Sequence, residues 1–285
     1  MMRGVEDPSP REQLARSFGN PPVVETILSA QFEPLPGFSN AHLGLFWEHV
    51  GGRQNWPTAS DDAPLNQEFE YFGDALEWVP LNEIRFGIAK VPVARMRLWN
   101  AAKDRMLQVQ NGRFVYNWLG TGNSYPRYDT IKPEFDNVLG QFREFLSKQD
   151  LPPVSPNQWE ITYINHLSKN TVWENVTDWS QVLTFHAVPP IRVGECKLET
   201  FGGHWSYEIA PNRGRLHMYL QHAKNEQRAE ILILNLTARG PIREGEGTAA
   251  DLDSGLNLGH DVIVGAFSQL TSEKAQAHWG KERPQ

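Results

Sequence analysis

Two alternating runs, RMLQVQ and RFVYNW, are separated only by Asn111-Gly112. Asn-Gly between such runs is a strong hairpin signal, because a type I′ turn needs positive φ at both central residues. A two-residue turn also fixes register. Gln110 then pairs with Arg113, Val109 with Phe114 and Leu107 with Tyr116, and directly opposed residues share a face. Upstream, VARMRLWN enters the same hairpin through Ala101-Ala102-Lys103-Asp104. A four-residue turn there sets Leu98 against Leu107, Met96 against Val109, Arg97 against Gln108, Arg95 against Gln110 and Trp99 against Met106. The two turns give one sorting. Met96, Leu98, Leu107, Val109, Phe114 and Tyr116 make an apolar face to be covered by helices. Burying each such side chain contributes about 1.5–3 kcal/mol. Arg95, Arg97, Trp99, Gln108, Gln110 and Arg113 make a polar face.

The rest of the chain is punctuated around this meander. PPVVETILSAQFEPLPG reads as a proline-bounded strand, with Val24, Leu28, Ala30 and Phe32 inward and Glu25, Ser29 and Gln31 outward. FSNAHLGLFWEHV reads as a helix capped by Ser39 or Asn40, and residues 51–92 as a long excursion. IKPEFDNVLGQFREFLSKQ keeps a helical period through Phe135, Val138, Leu139, Phe142, Phe145 and Leu146. After DLPPVSPNQ the order returns: strand QWEITYINHL, short helix TDWSQVLTF, and strands HWSYEIA, RLHMYLQH and AEILILNLTARG. GEGTAADLDSG reads as a loop. NLGHDVIVGAFSQLT reads as a closing helix with Leu258, Val262, Ile263, Ala266, Phe267 and Leu270 on one stripe. The pattern is strand-helix-three strands-helix, twice. It predicts an α+β protein with an antiparallel sheet and helices on one face. The expected organisation is a leader over 1–20, a first half over 21–150, a linker over 151–156, a second half over 157–280 and a tail over 281–285.

A four-residue loop at 211–214 predicts Ile209 against Leu216, Tyr207 against Met218 and Trp205 against Leu220, all inward. The outer face then sets Glu208 opposite His217, Ser206 opposite Tyr219 and His204 opposite Gln221. A carboxylate beside an imidazole can orient a general base, and the plainer alternative is a surface ion pair. Arg95, Arg97 and Arg113 suit an anion. Against that stands an internal partner: residues 61–84 carry seven acidic and no basic side chains, and this segment is able to fold over the arginines.

Some classes are excluded more firmly. A net charge of −7 argues against a duplex-DNA binder. The nine histidines show no HExxH or His/Cys spacing, so no metal is expected; His217 and His222 fall on opposite faces of one strand. No phosphate-binding P-loop, dinucleotide GxGxxG after a strand, or GxSxG elbow occurs, and no cofactor is expected. Cys196 is the single cysteine, which fits a reducing cytosol. No stretch of about 18 apolar residues suggests a membrane span, and MMRGVEDPSPREQ lacks a secretory signal's apolar run.

PPVVETILSAQFEPL, WEITYINHL and FSQLTSEKAQAHWG resemble the "sporadically distributed" family of uncharacterised prokaryotic proteins over residues 21–280. Its members open with a Pro-Pro-Val/Ile-Val-Glu strand and carry a Tyr-Ile-Asn strand near mid-chain. They often have a basic residue leading that strand, where this chain has Glu160 and Thr162. The resemblance implies a cytoplasmic prokaryotic protein, marks Pro21, Pro22, Glu25, Tyr163 and Asn165, and carries no established reaction. The function expected from the residues is binding: recognition of a partner protein or anionic ligand on the polar face, through Glu25, Arg95, Arg97, Trp99, Arg113, His217 and Tyr219. The alternatives are hydrolase-like chemistry on a phosphorylated or anionic substrate using Glu208 and His217, and single-stranded nucleic-acid binding through Trp99 and the arginines.

Overall fold

The computed structural model of the protein describes residues 18–73, 94–122, 125–185, 193–196, 198–225, 227–243 and 247–281. Most of the expected leader, residues 74–93 and the end of the tail lie outside the described residues, and with them the latter part of the acidic run over 61–84. The elements run β1 (Val23–Phe32), α1 (Asn40–His49), α2 (Gly52–Asn55), β2 (Thr58–Asp62), β3 (Arg95–Trp99), β4 (Arg105–Gln110), β5 (Arg113–Leu119), α3 (Tyr128–Lys148) and β6 (Pro156–Ser168). A 3-10 turn (Val176–Gln181), β7 (Gly202–Ala210), β8 (Gly214–Lys224), β9 (Glu230–Pro241), α4 (Ala249–Leu270) and α5 (Glu273–His278) follow. Among the described residues nine strands form one sheet in the order β2-β3-β4-β5-β1-β6-β9-β8-β7, antiparallel at every ladder. The fold is mixed α+β.

The first meander pairs as its turn lengths require: Val109 with Phe114, Leu107 with Tyr116, Leu98 with Leu107 and Met96 with Val109. The Asn111-Gly112 turn is not the expected type I′, since only Gly112 has positive φ. Leu98, Leu107, Val109 and Phe114 are fully buried. The ladders continue this face through Ala30, Trp159, Leu28, Ile161 and Ala238. Helices lie on it. The Phe142 ring of α3 packs 5.3 Å from Phe114 and 6.3 Å from Phe32, and Phe46 of α1 packs 5.0 Å from Phe142. α4 lies over β6, β9 and β8. A Cβ on its Gly255 would stand 2.2 Å from the Trp159 ring, and one on Gly259 2.5 Å from Ile161. Both glycines let the helix seat directly on the sheet.

Several expectations are corrected. The excursion contains α2 and a strand, β2, that pairs with β3. The linker ends a residue early, because Pro156 already belongs to β6. TDWSQVLTF makes a 3-10 turn in which the Asn175 backbone N–H donates to Asp178 at 2.8 Å. GEGTAADLDSG is helical from Ala249, because Thr248 and Asp251 cap each other reciprocally and start α4 eight residues ahead of the expected Asn257. The buried stripe of α4 is Leu252, Leu256, Ile263 and Phe267 with Gly255 and Gly259; Leu258, Val262, Ala266 and Leu270 flank it.

The second meander is slipped by two residues. Pro211, Asn212 and Arg213 form the turn, Gly214 pairs with Ala210, and a bulge follows at Ile209. Tyr207 therefore meets Leu216, Trp205 meets Met218, Ser206 meets His217, His204 meets Tyr219 and Glu208 meets Arg215. A two-residue slip keeps every side chain on its face and changes every partner. Tyr207, expected in the core, is 50% exposed because β7 is the edge strand.

Candidate functional site

The polar face is not a solvated surface. Ser29, Gln31, Gln108, Gln110, Arg113, Asn117 and Thr162 are all buried. Arg95 donates to Gln108 at 3.1 Å, Gln108 to Asn117 at 2.8 Å, and Asn117 to Glu25 at 2.7 Å. This chain crosses β3, β4, β5 and β1 and joins two of the expected site residues, Arg95 and Glu25. Burial raises the Glu25 carboxyl above its ordinary value, and the Asn117 bond offsets part of that. Arg113 donates to Gln31 at 2.7 Å and lies 3.6 Å from Glu160. Arg97 pairs with Asp62 and lies over the Trp99 ring at 4.9 Å. One face of the Trp99 ring is thus taken by an arginine of its own strand.

Acidic residues of the excursion do fold over this face. Residues 63–72 cross it as a strap without regular structure. Glu70 is its best-held residue. It accepts from Arg215 Nη1 at 2.6 Å, His217 Nε2 at 2.7 Å and Arg239 Nε at 3.0 Å. Burial would raise its carboxyl, but the bonds from His217 and Arg215 and the charges of His217 and Arg239 outweigh this and bring it to about 2. Arg239 also pairs with Glu68 and Glu160. Glu208 does not reach His217. It faces Arg215 and accepts from the Asn212 backbone N–H at 2.9 Å. The imidazole lies instead between Ser206 Oγ at 2.8 Å and Glu70. Tyr219 is 44% exposed and donates to Gln221 at 2.7 Å. His217 and Tyr219 thus sit on β8, across the sheet from Arg95 and Arg97 on β3.

A cavity of about 250 Å³ opens on the helix-bearing face, near the start of β1. Its apolar wall is Phe18, Val23, Leu236, Ile263, Val264 and Phe267. Its polar groups come from three directions. β6 supplies Tyr163 and Asn165, the entry to α3 supplies Tyr125, Arg127, Tyr128 and Asp129, and α4 supplies His260. Beside it β1 carries a bulge at Val24, between Val23 opposite Asn165 and Glu25 opposite Ile164. Bulges of this kind re-aim side chains next to sites.

The polar groups are ordered by one another. Tyr163 Oη and His260 Nδ1 share a hydrogen bond of 2.8 Å. The Tyr128 ring stacks on the imidazole at 4.1 Å and 6°, and its hydroxyl donates to Asn257 at 2.8 Å. Tyr125 stands edge-on to Trp118 at 5.1 Å and to Tyr163 at 6.3 Å. Asn165 donates to the Leu234 carbonyl at 3.0 Å. Burial lowers the His260 imidazole below its ordinary range, partly opposed by the charges of Asp261 and Asp129. Burial raises the phenols of Tyr125, Tyr128 and Tyr163. These shifts favour the neutral forms of the three tyrosines and of His260, which offer hydrogen bonds to a ligand group, while Arg127 and Asp129 also line the cavity. Arg127, at the α3 N-cap, has φ 69° and ψ 162°, a combination that costs a non-glycine residue about 1–3 kcal/mol.

Three of the five positions marked by the resemblance, Pro21, Tyr163 and Asn165, line this cavity. Pro22 is adjacent, its carbonyl accepting from His166 N–H at 2.9 Å, and Glu25 belongs to the opposite face. Tyr125, Tyr128 and His260 were not singled out from the sequence. For His260 a signal existed: it sits between Leu256 and Ile263 on the buried stripe of α4, a polar residue where the period calls for an apolar one. Tyr125 and Tyr128 leave no such mark, because they enter the cavity from a loop and a helix start. Among the described residues no group of three or more His, Cys, Asp or Glu side chains is arranged to hold a metal ion. None of their helices is long and apolar enough to cross a membrane. Comparison of the chain with protein-family models, with curated proteins and with solved structures gives no match.

Proposed function

We propose that the protein binds a compact, mainly apolar small molecule bearing one hydrogen-bonding group, in the cavity between β1, β6, α3 and α4. The observation that carries this reading is the cavity itself: apolar walls with a few convergent polar groups, the usual make-up of a small-molecule site. A dry cavity of about 150 Å³ admits benzene. The about 250 Å³ here suits a single substituted ring or a branched chain of similar bulk. The wall takes the apolar body. Tyr163, His260 and Asn165 take the polar group, and the strained backbone of Arg127 holds that residue at the rim.

Binding is favoured over catalysis. The Ser206–His217–Glu70 row has a hydroxyl, an imidazole and a carboxylate in contact. However, Arg215 and Arg239 already balance the Glu70 charge, which leaves little field to stabilise an imidazolium. In this reading the chain is a cytoplasmic prokaryotic protein of the family it resembles, built from two halves of like element order. The sheet order supports that origin: β1 and β6, the leading strands, pair at the centre, with β5-β4-β3 and β9-β8-β7 running outward from them.

Thermal shift with a panel of single-ring phenols, aromatic acids and branched aliphatic alcohols tests the reading. A ligand present at 100 times its Kd adds about 2.7 kcal/mol of stability, which raises Tm by several degrees. Val264→Trp, which fills the cavity from α4, is expected to abolish the shift while far-UV circular dichroism stays native. A panel that moves neither protein, or moves both equally, refutes the cavity as the site.

A further inference from the structure

We propose that the polar face of the sheet is a recognition site for an extended acidic peptide of a partner protein, and that residues 65–71 occupy it as an internal competitor. Asp62 pairs directly with Arg95 across β2 and β3. After Asp62 the described residues 63–72 leave the ladder and run back across the polar face, touching β4 at Leu65, β1 at Glu68 and β8 at Glu70.

The strap is read in two ways. Its backbone is read by two side-chain amides. Gln110 accepts from the Leu65 N–H and donates to the Leu65 carbonyl, both at 2.8 Å. Gln31 accepts from the Glu68 N–H at 2.8 Å and donates to the Glu68 carbonyl at 3.1 Å. Each amide offers the donor–acceptor pair that a neighbouring strand offers in β-strand addition, and neither depends on which side chain the peptide carries. Its charges are read by Arg239 on Glu68 and by Arg215, His217 and Arg239 on Glu70. Beneath them Arg113 donates to Gln31 at 2.7 Å and lies 3.6 Å from Glu160, so this part of the floor is held by contacts that do not involve the strap. Any extended segment with two glutamates separated by one residue meets the same set of donors.

The strap adds little to the core that would pin it. Leu65 is 36% and Tyr71 55% exposed. Glu68 lies in the open and only Glu70 is buried. The strap's hold is polar and centred on Glu70, and segments with few buried apolar contacts are the ones that open locally. An incoming peptide with the same charges exchanges one set of contacts for an equal one.

The test uses a fluorescent peptide of residues 61–73, DDAPLNQEFEYFG, with the full-length chain. A chain carrying Glu68→Gln and Glu70→Gln, with its own strap loosened, is expected to bind the peptide at least tenfold more tightly than the unaltered chain. That affinity falls with added salt and is lost when Arg215→Ala and Arg239→Ala are added. No binding by the loosened chain, or binding indifferent to both arginines, overturns the proposal. So does concentration-dependent dimerisation of the unaltered chain, since the occupant is then the strap of a second copy. If that variant fails to fold, hydrogen exchange on the unaltered chain decides. Saturating peptide is expected to speed exchange at the Leu65 and Glu68 amides, and unchanged protection there overturns the proposal.

Discussion

Glu70 shows how much one residue of an unstructured segment can carry. Its carboxylate accepts hydrogen bonds from two arginines and a histidine of β8 and β9 and is brought to about 2. The folded protein thus favours the ionised form more than the unfolded chain does. The resulting stabilisation is complete above the ordinary value near 4.5 and is lost as pH falls towards 2. Replacing Glu70 by Gln is expected to cost about 1.5–3 kcal/mol at pH 7, the worth of hydrogen bonds to a charged group. The gap to the unaltered chain should close below about pH 4.5. Urea unfolding across that range measures it, and a gap that persists at pH 2 would place the effect outside the ion cluster. The acidic run holding Glu70 was visible in the sequence, as was the chance that it neutralises arginines. Which arginines was not visible. Arg215 and Arg239 lie more than 140 positions away, and only the sheet order brings β8 and β9 under the strap.

At the scale of elements, the glycines of α4 invert the usual rule for helices. Gly255 sits inside a helix, where Ala is normally preferred by about 1 kcal/mol. Here a Cβ meets the buried Trp159 ring at 2.2 Å. Overpacking of this sort costs about 1–3 kcal/mol, so Gly255→Ala is expected to lower Tm by a few degrees despite its gain in helix propensity. A variant as stable as the parent would mean that α4 does not seat on Trp159 as described. The same residue explains why the start of α4 was misread. Ser254-Gly255 looks like loop punctuation, and the Thr248–Asp251 cap ahead of it gives the true signal. The two meanders make a similar contrast. Asn111-Gly112 admits one short turn, so partners and faces were both legible. Pro211-Asn212-Arg213-Gly214 admits a four-residue loop or a three-residue turn with a bulge. These differ by two positions, which leaves faces legible and partners not. That ambiguity alone set Glu208 opposite His217, where Ser206 stands.

At the scale of the whole molecule, the pairing of β1 with β6 decides how the chain unfolds. The two runs of elements, 21–150 and 157–280, were legible as separate sets from their order. One antiparallel sheet was expected from that order; that β1 and β6 form its seam was not legible, because no local turn joins them. The seam is a long ladder, running from Val23 opposite Asn165 to Phe32 opposite Pro156. It is covered on the helix side by Leu28, Ala30, Trp159 and Ile161, all buried. Separating the runs would strip partners from two central strands and expose that apolar row to water. An unpaired hydrophobic edge of this kind is strongly disfavoured in water. Unfolding one run should therefore unfold the other. The expected result is a single calorimetric transition whose measured enthalpy equals its van't Hoff enthalpy. Two resolved transitions, or a van't Hoff value near half the measured one, would show that each run melts independently and that the seam transmits little. Because the cavity is lined from both runs, through Val23 and Tyr128 on one side and Tyr163 and His260 on the other, a ligand bound there is expected to raise that one transition without splitting it.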